Sequence, residues 1–168
     1  MSKLIIIRGY SGTGKSTISK MIAEKHDYAL LREDTFFFAF NPHKVHDKKD
    51  YKVTFDNILD CVENYMQQGQ KIIIEGALAP IVEENPLDIK RFTKLAKKYN
   101  YDLIRLLFIA NENECYKRMK KRGHIVKKEI YKKLIKKINQ LKSKGEIIID
   151  TSKGTINQNL KKVEKIIK

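Results

Sequence analysis

The chain has 168 residues, a formal net charge of +15 at pH 7, 42% hydrophobic and 33% charged residues. That length supports a proper core and one folded domain over 1–168, and the balance excludes a disordered chain. No apolar run approaches the roughly 20 residues of a membrane span, and Cys61 and Cys115 form no CxxC pair, which fits reduced thiols in a cytoplasmic setting. The charge comes from 29 Lys against 6 Arg, alongside abundant Ile and Asn. Arginine is the residue suited to bidentate contacts with phosphates and bases. The excess therefore reads first as compositional bias towards AT-rich codons, and a polyanion-binding surface is the second reading.

In chain order, five short apolar runs alternate with helical segments. The runs are Leu4–Ile7, Tyr28–Leu31, Lys71–Ile74, Leu103–Ile109 and Ile147–Ile149. They are mostly Ile and Leu without alternation, as in strands buried on both faces of a parallel sheet. The short apolar start, MSKLIIIRG, runs straight into a glycine loop and reads as structure, not as an address. Helices are expected over Gly14–Lys25, about Lys52–Gln68, about Leu87–Tyr99, Asn113–Arg122, Lys127–Lys144 and Ile156–Ile167. Gly69 and Asn100 stand where helices close, and Asp88 stands near a helix start, where a carboxylate is favoured. Asn41–Asp50 is a polar loop after strand two, and its His43, His46 and Asp47 read as loop residues, not metal ligands. In the fifth helix Ile130, Leu134, Ile138 and Leu141 make an apolar stripe with lysines on the other faces. Alternating strands and helices of this kind build a three-layer α/β domain with helices on both faces of the sheet.

Gly9-Tyr10-Ser11-Gly12-Thr13-Gly14-Lys15-Ser16 fits G-x-x-x-x-G-K-[ST], between a buried strand and a helix. Its glycines let the backbone turn left-handed and approach an anion closely. Successive N–H groups, among them those of Ser11, Gly12, Thr13 and Gly14, then form a concave nest for phosphate. The positive end of the following helix faces the same anion. Lys15 reaches the β- and γ-oxygens, Ser16 offers a hydroxyl to Mg²⁺, and the stretch from Gly9 to Thr17 holds the nucleotide. The loop therefore predicts binding of a nucleoside triphosphate.

Ligands of open α/β sheets sit at the carboxyl ends of strands, so the residues that follow strands carry the remaining expectations. Asp34, just past strand two, faces the loop and suits a base that orients an acceptor hydroxyl. Arg32 could hold the acceptor, Phe37 in the run Phe36–Phe40 could line its pocket, and Glu33 has no assigned part. Glu75-Gly76 ends strand three, where an acid can bind Mg²⁺ or an acceptor hydroxyl. Arg118 and Arg122 share a helix face, at the start of a lid over about 118–130, and suit stabilisation of transferring phosphoryl charge. Asp150-Thr151-Ser152 after strand five lies beside the loop, near a nucleotide base.

Together the P-loop, the acid after strand two, Glu75-Gly76, Arg118-x-x-x-Arg122 and Ile149-Asp150-Thr151-Ser152 resemble the small P-loop kinases. That group includes the kinase domain of polynucleotide kinase, gluconate and shikimate kinases, chloramphenicol phosphotransferase and zeta-toxin-like enzymes. The resemblance implies a five-stranded parallel sheet of order 2-3-1-4-5, a Mg·ATP donor and a small mobile lid. It implies Asp34 as base, Lys15 as γ-phosphate ligand, and Arg118 and Arg122 as lid arginines. The acceptor is expected to be a hydroxyl-bearing small molecule: a nucleoside, sugar derivative or antibiotic. The alternatives are a polynucleotide 5′-hydroxyl kinase and a regulatory nucleotide-binding NTPase. Arg32-Glu33-Asp34 is similar to the R-D-D segment of polynucleotide kinases but departs from it at Glu33. Phe36-Phe37-Phe38 also stands where an arginine is expected, which points away from a 5′-phosphate clamp and a nucleic-acid acceptor.

Overall fold

The computed structural model describes residues 1–39, 47–78, 89–123, 127–140 and 145–168. The stretch with His43 and His46, Leu87 and Asp88, the middle of the expected lid (124–126) and Leu141 lie outside them.

The elements run β1 (Lys3–Gly9), α1 (Lys15–His26), β2 (Ala29–Arg32), α2 (Glu33–Phe38), α3 (Lys48–Gln67) and β3 (Ile72–Gly76). They continue with α4 (Ile89–Lys98), β4 (Asp102–Ile109), α5 (Glu112–Lys121), α6 (Lys128–Gln140), β5 (Ile147–Asp150) and α7 (Ile156–Ile167). The strands pair in parallel in the order β2-β3-β1-β4-β5, with Ile6 opposite Ile74 on one side and Arg105 on the other. Strand β1 is thus central, and the chain order reverses at its carboxyl end. This is the switch point where an open α/β sheet leaves a crevice for ligands.

Alternation along the central strands explains why their sequences are apolar throughout. Leu4, Ile6, Ile72 and Ile74 face one layer, against Ile58 and Val62 of α3 and Phe92 and Ala96 of α4. Ile5, Ile7, Ile73, Leu106 and Phe108 face the other, against Ile18 and Ile22 of α1 and Leu160 and Val163 of α7. Each such side chain contributes about 1.5–3 kcal/mol on burial. A third cluster carries α5 and α6: Leu107 and Tyr10 meet Cys115, Met119, Tyr131, Ile135 and Ile138.

Gly69 and Asn100 close α3 and α4 with φ of 71° and 58°. Paired backbone bonds, Gly69 to Met66 with Gln70 to Tyr65, and Asn100 to Lys97 with Tyr101 to Ala96, satisfy the last carbonyls. Two expectations need correction, and one short helix joins the expected set. Helix α3 begins at Lys48, not Lys52, because Asp47 and Asp50 form a reciprocal capping box that draws the end of the polar loop into the helix. The short helix α2 follows β2 at once. In α6 the buried stripe runs through Tyr131, Ile135 and Ile138, while Ile130 is 58% exposed; the stripe is rotated because the Tyr131 ring inserts between α5 and the loop after β1.

Candidate functional site

The loop after β1 has the backbone that its glycines require. Gly9, Gly12 and Gly14 have φ of 153°, 87° and 84°. A Cβ on Gly9 would overlap the Phe108 carbonyl, and one on Gly12 would lie 2.6 Å from the Cys115 carbonyl oxygen. Both positions therefore demand glycine by close approach as well as by dihedral angle. Gly14 caps α1 with no side-chain hydrogen bond, and no acidic residue occupies the first turn. The first N–H groups of α1 are thus left for an anion.

The loop's own carbonyls are tied outwards. Tyr10, 3% exposed, donates through Oη to the Ala110 carbonyl at 2.6 Å and accepts from the Ala110 N–H at 2.9 Å. Thr13 Oγ1 donates to the Tyr10 carbonyl at 2.9 Å, and Thr151 Oγ1 donates to the Thr13 carbonyl at 2.7 Å. Tyr131 Oη donates to the Ser11 carbonyl at 2.6 Å, and Arg118 Nη1 donates to the Gly12 carbonyl at 3.2 Å. With the Ser11, Gly12 and Thr13 carbonyls bonded from outside the loop, its N–H groups are left to the concave side, apart from that of Thr13, which donates to the Tyr10 carbonyl at 3.5 Å. Burial raises the affinity of both Tyr10 and Tyr131 for their protons, so both hydroxyls stay donors.

Two cavities flank the loop. One, about 170 Å³, is lined by Gly12, Lys15, Ser16, Arg32, Asp34 and Arg122, with Ser11, Gly14 and Met119. The other, about 310 Å³, lies towards Thr17, Arg118, Thr151, Gly154, Ile156 and Asn159. Arg122 borders both. The first gathers Lys15, Asp34, Arg32 and Arg122 from α1, α2, the end of β2 and the end of α5. The second contains Thr151 where the loop after β5 was expected to meet the P-loop.

Glu75 organises the floor between Lys15 and Arg32. It is 3% exposed. Its Oε1 accepts from Ser16 Oγ at 3.0 Å and stands 3.5 Å from Lys15 Nζ, and its Oε2 accepts from Arg32 Nε at 3.2 Å. A hydroxyl beside a carboxylate is the hard-oxygen pair suited to Mg²⁺, which takes few protein ligands and keeps water and phosphate oxygens. Ser16 and Glu75 fit that ion. Among the described residues no cluster of three or more His, Cys, Asp or Glu could hold a metal by itself.

Phe37 does not line the first cavity; its ring stands edge-on to Tyr51, with centroids 4.7 Å apart. Arg118 braces Gly12 and pairs with Glu114 at 3.1 Å, whereas Arg122 is exposed at the cavity mouth. The residues that sequence reasoning missed are Tyr10, Tyr131 and Glu33. Tyr10 occupies a variable position of the motif and Tyr131 reads as one more apolar stripe residue. Glu33 is 5% exposed and its Oε2 accepts the Leu78 N–H at 2.9 Å.

A glycine loop that offers its amides to an anion, a lysine and hydroxyl at its end, and a 2-3-1-4-5 parallel sheet define a P-loop domain with the architecture of the small kinases. The family model for an AAA domain matches residues 4–142, and the chain belongs to that family. Among solved structures, a sugar kinase from Janibacter sp. HTCC2649 is similar at 15% identity and TM-score 0.72, covering 99% of this chain and 95% of that one. The Deinococcus radiodurans tunicamycin resistance protein is similar at 15% identity and TM-score 0.70, covering 99% and 96%. A gluconokinase from Sinorhizobium meliloti 1021 follows at 14% identity and TM-score 0.64, covering 98% and 95%. At such identities the likeness is one of fold. No curated protein matches the chain. Among the described residues no helix is long and apolar enough to cross a membrane.

Proposed function

We propose that the chain is an ATP-dependent kinase, one domain over 1–168, that transfers the γ-phosphoryl group of Mg·ATP to a hydroxyl of a small molecule. The acceptor belongs among nucleosides, sugar derivatives and antibiotics. One observation carries this reading: Lys15, Ser16, Asp34 and Arg122 converge on a single cavity of about 170 Å³. A nucleotide-binding switch needs the loop and lysine; a carboxylate facing them across the cavity is what an acceptor hydroxyl needs.

In this mechanism the loop amides from Gly9 to Thr17 hold the phosphates, and the cavity beside Thr151 and Asn159 takes the base. Ser16 and Glu75 would hold Mg²⁺, which when bound would supply neutralisation of phosphate charge. Asp34 accepts the acceptor's hydroxyl proton as that oxygen bonds to the γ-phosphorus. The bond from the γ-phosphorus to its bridging oxygen breaks and ADP leaves. Lys15 and Arg122 stabilise the charge spread over the transferring group, and Arg32, held by Glu75, borders the acceptor. Most of the acceleration comes from positioning and fixed charge.

The test is transfer from γ-labelled ATP to separate pools of nucleosides, sugars, aminoglycosides and 5′-hydroxyl oligonucleotides. Label in one of the first three pools is the expected result. Label confined to oligonucleotides would move the assignment to the polynucleotide reading, which the +15 charge favours. Release of free phosphate alone would contradict a kinase.

A further inference from the structure

Glu33 stands between two cavity residues, Arg32 and Asp34, yet its side chain leaves the cavity. It is 5% exposed, and its Oε2 accepts the Leu78 N–H at 2.9 Å just beyond β3. The Ala77 amide bonds the same carboxyl. Leu78 has φ of 44°, a left-handed backbone that a bulky branched residue adopts only when its surroundings hold it there. Gly76 completes the contact, because a Cβ at that position would overlap the Glu33 carboxylate. A buried acid, a disfavoured turn and a glycine with no room for a side chain therefore meet at one point. Immediately before that point is Glu75, which binds Ser16, Lys15 and Arg32; immediately after Glu33 is Asp34.

We propose that Glu33 is a positioning residue: its carboxyl locks the turn after β3 against the first turn of α2, and so sets the separation of Glu75 and Asp34 across the cavity. Its catalytic consequence rests on the kinase reading above; the lock itself does not. Burial pushes the Glu33 carboxyl up to about 7, with the Leu78 amide opposing and the neighbouring charges Asp34 raising and Lys15 lowering it. Tyr51 of α3 also faces it. The folded chain thus holds this proton more tightly than the unfolded chain, whose ordinary value is 4.5. The stabilisation this group contributes is complete below that value and is lost as pH rises through about 7.

The test is Glu33→Gln, which keeps the volume and removes the titration. Expected are a kcat about tenfold lower, because small misplacements of reacting groups are costly, and an unchanged KM for ATP. The fall of Tm across neutral pH should also flatten. Wild-type kcat with a wild-type slope of Tm against pH would overturn the proposal. Glu33→Asp is the second variant, since it keeps the carboxyl but is one methylene too short for the Leu78 amide. Hydrogen exchange over Ile72–Leu78 should accelerate in it, and wild-type protection there would overturn the lock. If wild-type protein phosphorylates none of the acceptors, the kinase reading fails, while the pH slope and the exchange measurement still decide the lock.

Discussion

The two walls of the cavity are built by different means. The wall we assign to the donor, the donor wall, is one continuous stretch, Gly9 to Thr17, which offers backbone amides. It is tied from outside by Tyr131, Arg118 and Thr151, reaching Ser11, Gly12 and Thr13 from α6, α5 and the end of β5. The wall we assign to the acceptor presents the side chains of Arg32 and Asp34, and a second segment holds it from behind through the Arg32–Glu75 ion pair and the Glu33–Leu78 hydrogen bond. A wall of backbone is specified once glycines allow the turn. A wall of side chains is specified only when two distant segments pack.

The contrast can be broken most severely at Lys15. Lys15→Ala removes the donor wall's one charged ligand and should lower kcat about a hundred- to a thousandfold, the loss seen when one preorganised charge stabiliser is removed. Steady-state transfer assays check this. Arg122→Ala comes next, and it sharpens the contrast because Arg122 borders both cavities. It should lower kcat/KM about ten- to a hundredfold, with the larger part in kcat if its contact strengthens in the transition state. Arg118→Ala, whose guanidinium braces Gly12, should act instead on ATP affinity. The smallest effect is expected at Tyr131. Tyr131→Phe leaves the Ser11 carbonyl without its bond at about 1 kcal/mol, so the Kd for ATP should rise about fivefold by calorimetry while acceptor KM stays constant.

The same contrast explains what the sequence reveals. The P-loop is legible because consecutive residues carry its function, and the sheet because Ile and Leu runs recur with helices between them. Asp34 stands out in the sequence because it follows an apolar run at the ligand-bearing end of the sheet, and it borders the cavity. Glu33 is not, because its burial depends on Leu78, 45 residues away. Propensity gives no sign that an acid beside an exposed acid turns inward. Tyr131 is hidden for a similar reason: on a helical wheel it is one apolar residue among several, and only the Ser11 carbonyl distinguishes it. Phe37 shows the converse, since an aromatic run that suggests a pocket packs against Tyr51. The start of α3 was open to reading, since Asp47 and Asp50 have capping-box spacing, but the polar run before them has the composition of a loop.

The central claim is that Asp34 serves the acceptor and not the nucleotide. The most direct measurement compares wild type with Asp34→Asn for ATP affinity by calorimetry and for γ-phosphoryl transfer to the identified acceptor. Expected are unchanged ATP affinity and transfer reduced about a hundred- to ten-thousandfold, the range of general-base contributions. Undiminished transfer, or a loss of ATP binding that matches the loss of transfer, would contradict it.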